Sequence, residues 1–146
     1  MDAISLHAPM LARIALATLL GAFIGFERER AGKPAGVRTH GMVALGAALF
    51  TAVSAFGFEG AGDPSRMAAQ IVTGVGFLGA GTILHPRGTV QGLTTAASLW
   101  VAAAIGTAVA VGMYSMSAET TVLVWILLRF GPRVDSKREK TDDDRP

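Results

Sequence analysis

The residues with the most chemical promise sit in one glycine-rich run and a few polar clusters. Gly74-Val75-Gly76-Phe77-Leu78-Gly79 spells G-x-G-x-x-G, the pattern with which a strand-to-helix turn cradles a pyrophosphate. That chemistry also needs a preceding strand and an acidic residue about twenty positions later. No Asp or Glu occurs between Asp63 and Glu119, and the run itself is apolar, so the nucleotide reading is set aside. The clusters are Glu27-Arg28 and Arg38-Thr39-His40, either side of a short charged stretch, and Thr94-Thr95 at the start of a later apolar run. Helix N-termini favour anions, so two of them beside Arg28 and Arg38 form a candidate site for an anionic group. A plainer account uses the same residues: threonines cap helix starts, arginines anchor to headgroups, and Glu27 and Arg28 form an interfacial ion pair. Both accounts stand at this point.

Other chemistries lack their parts. There are no cysteines, which removes disulfides, thiolate nucleophiles and cysteine metal sites. His7, His40 and His85 have no acidic partner at a telling spacing, and the serines are scattered. Gly25 to Lys33 lacks the G-x-x-x-x-G-K spacing of a phosphate loop. No Asp, Glu or His is expected deep in an apolar run, whereas proton relays and carboxylate-ligated Mg²⁺ need such groups. The expectation is therefore no catalytic residue, no metal site, no cofactor and no enzyme. A formal charge of +2 is too small to imply a nucleic-acid partner.

The elements that position these residues follow from hydropathy. Of 146 residues, 51% are hydrophobic and 16% charged, against roughly 25% charged in soluble domains. A hydrocarbon core needs about 20 apolar residues per helix. Five runs qualify, at about 8–26, 40–58, 67–84, 93–112 and 114–130, the third and fifth being short. None has a polar stripe at helical period, so the expected fold is an all-α membrane protein of about five transmembrane helices. Residues 1–131 form the transmembrane domain, and the polar stretch 132–146 is expected to be a disordered tail. Asp2 and the lack of a basic leader argue against a cleaved signal, so the first run is expected to stay as a span.

Charge sets the orientation. Arg28, Arg30, Lys33 and Arg38 lie between the first two runs, Arg87 between the third and fourth, and six basic residues in the tail from Arg129 onward. With loops alternating sides, every basic residue but Arg66 and Arg13 falls on one side. The positive-inside rule then places the N-terminus outside and the C-terminus in the cytoplasm. Arg13 lies inside the first span; snorkelling to the near interface and facing a partner or cavity are the two options.

Small residues mark where the helices touch. In lipid, close backbone approach drives association where hydrophobic burial cannot. Ala17, Gly21 and Gly25 repeat every fourth position in the first span, as do Ala44, Ala48 and Ala52 in the second. Thr94, Ser98, Ala102, Gly106 and Ala110 do so in the fourth. The third run packs Gly74, Gly76, Gly79 and Gly81 into eight residues, read as a second close-packing surface. Glycine-broken helices also line substrate paths in transporters, although the polar lining here is thin: Gln70, Thr73 and Thr82.

Four segments carry a resemblance: GAFIGFERE, AGVRTHGMVALGAALF, GVGFLGAGTIL and GLTTAASLWVAAAIG. In this order and spacing, over about residues 12–115, they resemble the MgtC/SapB family of bacterial inner-membrane proteins. The matching positions are Gly25, Glu27, Arg28, Gly36, Arg38, Thr39, Gly76, Gly79, Gly81, Thr82, Gly92, Leu93, Thr94, Thr95 and Trp100. The resemblance implies a multi-pass inner-membrane protein linked to magnesium homeostasis and growth at low magnesium, in a family associated with virulence. It also implies action by binding and restraining another membrane complex, the F-type ATP synthase, rather than by carrying magnesium. Longer members add a soluble cytoplasmic domain after the last span, where this sequence has only the short tail. The expected partners are membrane lipids, such a membrane complex, and a second copy in a homo-oligomer. The competing expectation is a small oligomeric ion transporter or channel built on the glycine-rich third span.

Overall fold

Glycine and proline punctuation divides the apolar sequence into five helices. A computed structural model describes residues 3–58, 63, 65–86 and 90–131. In chain order the helices are α1 (Ala3–Arg30), α2 (Val37–Phe56), α3 (Ser65–Ala80), α4 (Leu93–Ala110) and α5 (Tyr114–Phe130). The tail 132–146, for which disorder is expected, lies outside the described residues, as do Glu59 and Arg87.

The helix ends show what the charge pattern conceals. The Glu27-Arg28-Glu29-Arg30 stretch reads as a link, yet α1 runs through it to Arg30. Glu and Arg are good helix formers, and charge alone does not stop a helix. Gly32 does, at φ 67°, with Lys33 N–H donating to Arg28 C=O and Gly32 N–H to Glu29 C=O. That paired geometry is a Schellman cap. Gly112, at φ 89°, ends α4 in the same way, with Met113 N–H on Ala108 C=O and Gly112 N–H on Val109 C=O. α2 starts at Val37, three residues before the expected boundary, because Gly36 is its N-cap and Glu29 Oε2 accepts the Val37 N–H at 3.1 Å. Between α3 and α4 the chain closes on a two-bond bridge between Leu84 and Gln91. Gly92 follows at φ 91°, so close to Thr82 C=O that no side chain fits.

α1, α2 and α4 pack together at the centre; α3 lies against α2 and α4, and α5 against α1 and α4. The central core is built from small residues: Ala17, Ala48 and Ala110 interleave with Ile24, Ile105 and Val109. A smaller cluster of Ala47, Val75 and Ala103 joins α3 to it. Large apolar side chains point the other way, with Phe77 81%, Phe130 72% and Leu127 69% exposed. A water-soluble protein rarely shows apolar surface on that scale, and in lipid it is the solvated face. Helices at 7–30, Val37–Phe56 and Leu93–Ala110 are long and apolar enough to cross a membrane. α3 has 16 residues and α5 has 17. At 1.5 Å per residue each falls about 5 Å short of a 30 Å core. The protein is an all-helical membrane protein.

Candidate functional site

The shifted start of α2 rearranges the expected polar cluster. His40 becomes the fourth residue of the helix rather than the first of a span, and it is fully buried between α1, α2 and α4. Its Nδ1 lies 3.1 Å from Gly36 C=O, and its Nε2 lies 2.9 Å from Ser98 Oγ on α4. Ser98 Oγ is also 2.8 Å from Thr95 C=O. The carbonyls can only accept, so Nδ1 carries a proton. These three contacts need three protons, and a neutral imidazole plus one hydroxyl supplies two. An imidazolium satisfies all three at once; a neutral ring leaves Ser98 to choose between Nε2 and Thr95 C=O.

Glu27 and Arg28 lie at the same end of the bundle, 6% and 4% exposed. Their ion pair is loose, Arg28 Nη1 to Glu27 Oε2 being 3.9 Å, since neighbouring residues on a helix do not face one another. Glu27 Oε2 is buried with no hydrogen-bond donor among the described residues. Thr95 is buried beside Ser98, whereas Arg38 and Thr94 are exposed and Thr39 is half-buried. The structure thus gathers Glu27, Arg28, His40, Thr95 and Ser98 inside, and leaves Arg38 and Thr94 at the surface. Glu27 and His40 lie at the ends of the expected spans rather than deep within them, yet the bundle buries both: helix ends, not hydropathy, decide which residues it encloses. Among the described residues no group of three or more Asp, Glu or His could share a metal ion.

The glycines divide as sharply. A Cβ on Gly21 would meet Ala44 Cβ at 2.6 Å and His40 C=O at 2.7 Å. One on Gly106 would collide with Ala44 C=O, and one on Gly25 with the Gly36 and Val37 backbone. α2 is therefore clamped at Ala44 between α1 and α4. Ser98, Ala102, Gly106 and Ala110 are all buried in this packing. Gly79 meets Ala96 of α4 at ordinary contact distance. Gly74, Gly76 and Gly81 are corrected as helix-contact positions within the chain. Gly74 and Gly76 are exposed with nothing within 4 Å of an added Cβ, and Gly81 lies in the turn after α3, near only Phe77 and Leu78 backbone. The face of α3 that packs carries Val75 and Gly79, with Ile71 in line.

Arg13 settles between its two options. Its Nη1 donates to Ala110 C=O at 2.7 Å, and its guanidinium lies 5.9 Å from the ring centroids of both Phe56 and Tyr114. A cation at a helix C-terminus is favoured by the α4 dipole, so the charge faces inward. The role of Ser98 as the partner of His40 was missed because Ser98 reads as one more small residue. The available signal was that a buried imidazole among alanines needs a polar partner, and Ser98 is the hydroxyl on the stripe that faces it.

Comparison with known proteins bears directly on these residues. The model of the MgtC family matches residues 14–137, which includes the buried cluster and all the clamped glycines. The chain belongs to the MgtC family. Among its relatives, the putative magnesium transporter YhiD of Escherichia coli K12 is 46% identical over 128 residues, covering 83% of this chain and 60% of the relative. Protein MgtC of Brucella abortus strain 2308 is 48% identical over 111 residues, 76% of this chain and 46% of that one. An uncharacterized protein of Haemophilus influenzae is 39% identical over 137 residues, 88% and 58%. The chain thus spans about half to three-fifths of the length of these relatives. No solved structure matches it.

Proposed function

We propose that this MgtC-family chain is a non-enzymatic, multi-pass protein of the bacterial inner membrane that regulates another membrane complex and links it to magnesium supply. The orientation is N-terminus outside and C-terminus in the cytoplasm, with α3 and α5 completing five spans. The F-type ATP synthase is the partner of choice, on the family resemblance. The link to magnesium is supported by the name of the Escherichia coli relative.

The observation that carries the reading is the clamp at Ala44. With Gly21 on one side and Gly106 on the other in close contact with α2, the α1–α2–α4 packing is tight at this level, which speaks against an ion path between those three helices. Action is then left to the outer surface. Small-residue contacts on α4 are used up internally, so the partner-facing surface is the outer side of α3 and α4. There Trp100 and Val72 are half-exposed beside Ala68, Ala104 and Ala108, around a shallow groove of about 440 Å³.

The test is reconstitution. Added to inverted membrane vesicles, the protein is expected to lower ATP-driven acidification, and Ala104→Trp to abolish that effect while leaving helicity and insertion intact. Liposomes holding the protein alone are expected to take up no Mg²⁺. Saturable Mg²⁺ uptake with no effect on acidification would overturn the reading. It would favour the second one, an oligomeric transporter assembled around the exposed glycines of α3.

A further inference from the structure

His40 is a titratable ring that the bundle encloses completely, and the groups around it decide which protonation state fits. From α1 the charge that acts on it is Arg28, loosely paired with Glu27 at 3.9 Å. From α4 it meets only the Ser98 hydroxyl, which also reaches Thr95 C=O. On its own helix Arg38 is exposed, and at the α1–α2 corner Glu29 is exposed and spent on the Val37 N–H. Among the described residues no carboxylate stands within ion-pair distance of the ring.

A second proton on the ring brings one gain and three costs. The gain is a third hydrogen bond, with Nε2–H donating to Ser98 and Ser98 free to donate to Thr95 C=O. That carbonyl already has its helical N–H partner inside α4, so the gain is small. The costs are a buried cation with no carboxylate of its own, its place in the first turn of α2 at the positive end of the dipole, and the like charge of Arg28. One hydrogen bond is worth less than an ion enclosed without its counter-charge. The closed packing therefore holds a neutral ring, donating from Nδ1 to Gly36 C=O and accepting at Nε2 from Ser98. The geometry fixes this tautomer, since a proton on Nε2 alone would set the Nδ1 lone pair against a carbonyl oxygen at 3.1 Å.

We propose that His40 is an acid-sensitive latch on the α1–α2–α4 junction. Neutral, it ties α2 to α4 beside the end of α1. Once the packing parts, the ring meets water and takes up a proton, and the charged ring does not fit back. Acid thus draws the junction towards a form open at the α1–α2 corner. In the orientation proposed above, that corner faces the cytoplasm. The latch does not depend on which complex the chain regulates, or on whether it regulates one.

The experiment uses the full chain in lipid nanodiscs, with nitrogen-15 histidine spectra and hydrogen exchange followed from pH 8 to pH 5. At pH 8 the His40 ring is expected as the Nδ1–H tautomer, whereas the exposed His7 and His85 take the Nε2–H form usual in water. Exchange in the last turn of α1 and the second turn of α2 is read as a ratio to exchange in α5. The ratio is expected to rise below about pH 6.5 and to approach about tenfold per pH unit, the limit for one proton bound on opening. His40→Gln, uncharged throughout and long enough to reach Ser98, is expected to flatten the ratio, and His85→Gln to leave it as in wild type. The first two readings need no substitution, so they decide even where His40→Gln does not fold. Three results overturn the proposal: an Nε2–H tautomer at pH 8, a doubly protonated ring at pH 8, or a wild-type ratio that stays flat or rises equally in His40→Gln.

Discussion

Gly21 is pressed against the Ala44 side chain and the His40 carbonyl, and Gly106 against the Ala44 backbone, while Gly46 and Gly74, a helix face away, look into open space. The four are the same residue in similarly apolar helices, so local hydropathy does not separate them. Spacing does. Gly21 belongs to Ala17-Gly21-Gly25, and Gly106 to Ser98-Ala102-Gly106-Ala110, unbroken four-residue repeats that keep one face flat enough for a neighbour. The packed stripe of α3 follows the same rule through Ile71, Val75 and Gly79. Gly74 and Gly76 flank that stripe. A high density of glycine thus marks a helix with little side-chain cover, whereas a four-residue repeat marks the contact itself.

The comparison breaks most readily at its clamped end. Gly106→Leu is expected to cost about 3 kcal/mol or more, since a backbone carbonyl cannot yield as a side chain does. Little folded protein should survive thermal challenge in detergent. Gly74→Leu should leave the melting temperature close to wild type, and equal damage at the two positions would mean that the α3 face is covered in the native assembly. Next in size is the polar fastener at the α4 N-terminal end. Ser98→Ala removes the hydroxyl that meets His40 Nε2, at a cost of about 1–3 kcal/mol for a buried unsatisfied group. Denaturation in mixed micelles should show it, and Ser98→Thr should recover part of the loss.

At the other end of α4, Arg13→Met keeps the apolar stem and removes the charge at the Ala110 carbonyl, for an expected loss of about 1–2 kcal/mol. Hydrogen exchange should quicken in the last turn of α4 and not in its first. The smallest effect belongs to the loose side of the molecule. Ser65 donates its backbone N–H and its hydroxyl to the Asp63 carboxylate, and with Arg66 nearby these hold the pKa below its ordinary 3.8. A lowered carboxylate pKa contributes stability that is complete above the unfolded value and fades as pH falls through the folded one. Amides in the first turn of α3 should therefore exchange faster relative to α4 once the pH drops below about 3.8. No such change between pH 7 and pH 5 is expected.

Much of the fold was legible because bilayer thickness and turn chemistry act locally. The fifth span matches α5 at both ends, Tyr114 following the left-handed Gly112 and Phe130 preceding Gly131. The first boundary failed because Glu27 to Arg30 were read by charge, while the helix obeys Gly32. That error propagated into the site. With α1 too short and α2 starting late, Glu27 and His40 looked peripheral, and the pairing of His40 with Ser98 across 58 residues had no local sign. Which of the two adjacent threonines turns inward, Thr95 and not Thr94, depends on helix phase against α2, and no window on the sequence contains it.

The bond from Arg13 to Ala110 also bears on the order of events during synthesis. The two groups are 97 residues apart. At 5–20 residues per second, about 5–20 s pass between the making of the cation and the making of its acceptor. Through that interval α1 carries a charge that the finished protein shelters and the nascent one does not. The acceptor for that charge is complete only when the end of α4 has been made. α5, which follows Met113 directly, then closes Tyr114 over the guanidinium. α5 thus covers a charge introduced by α1.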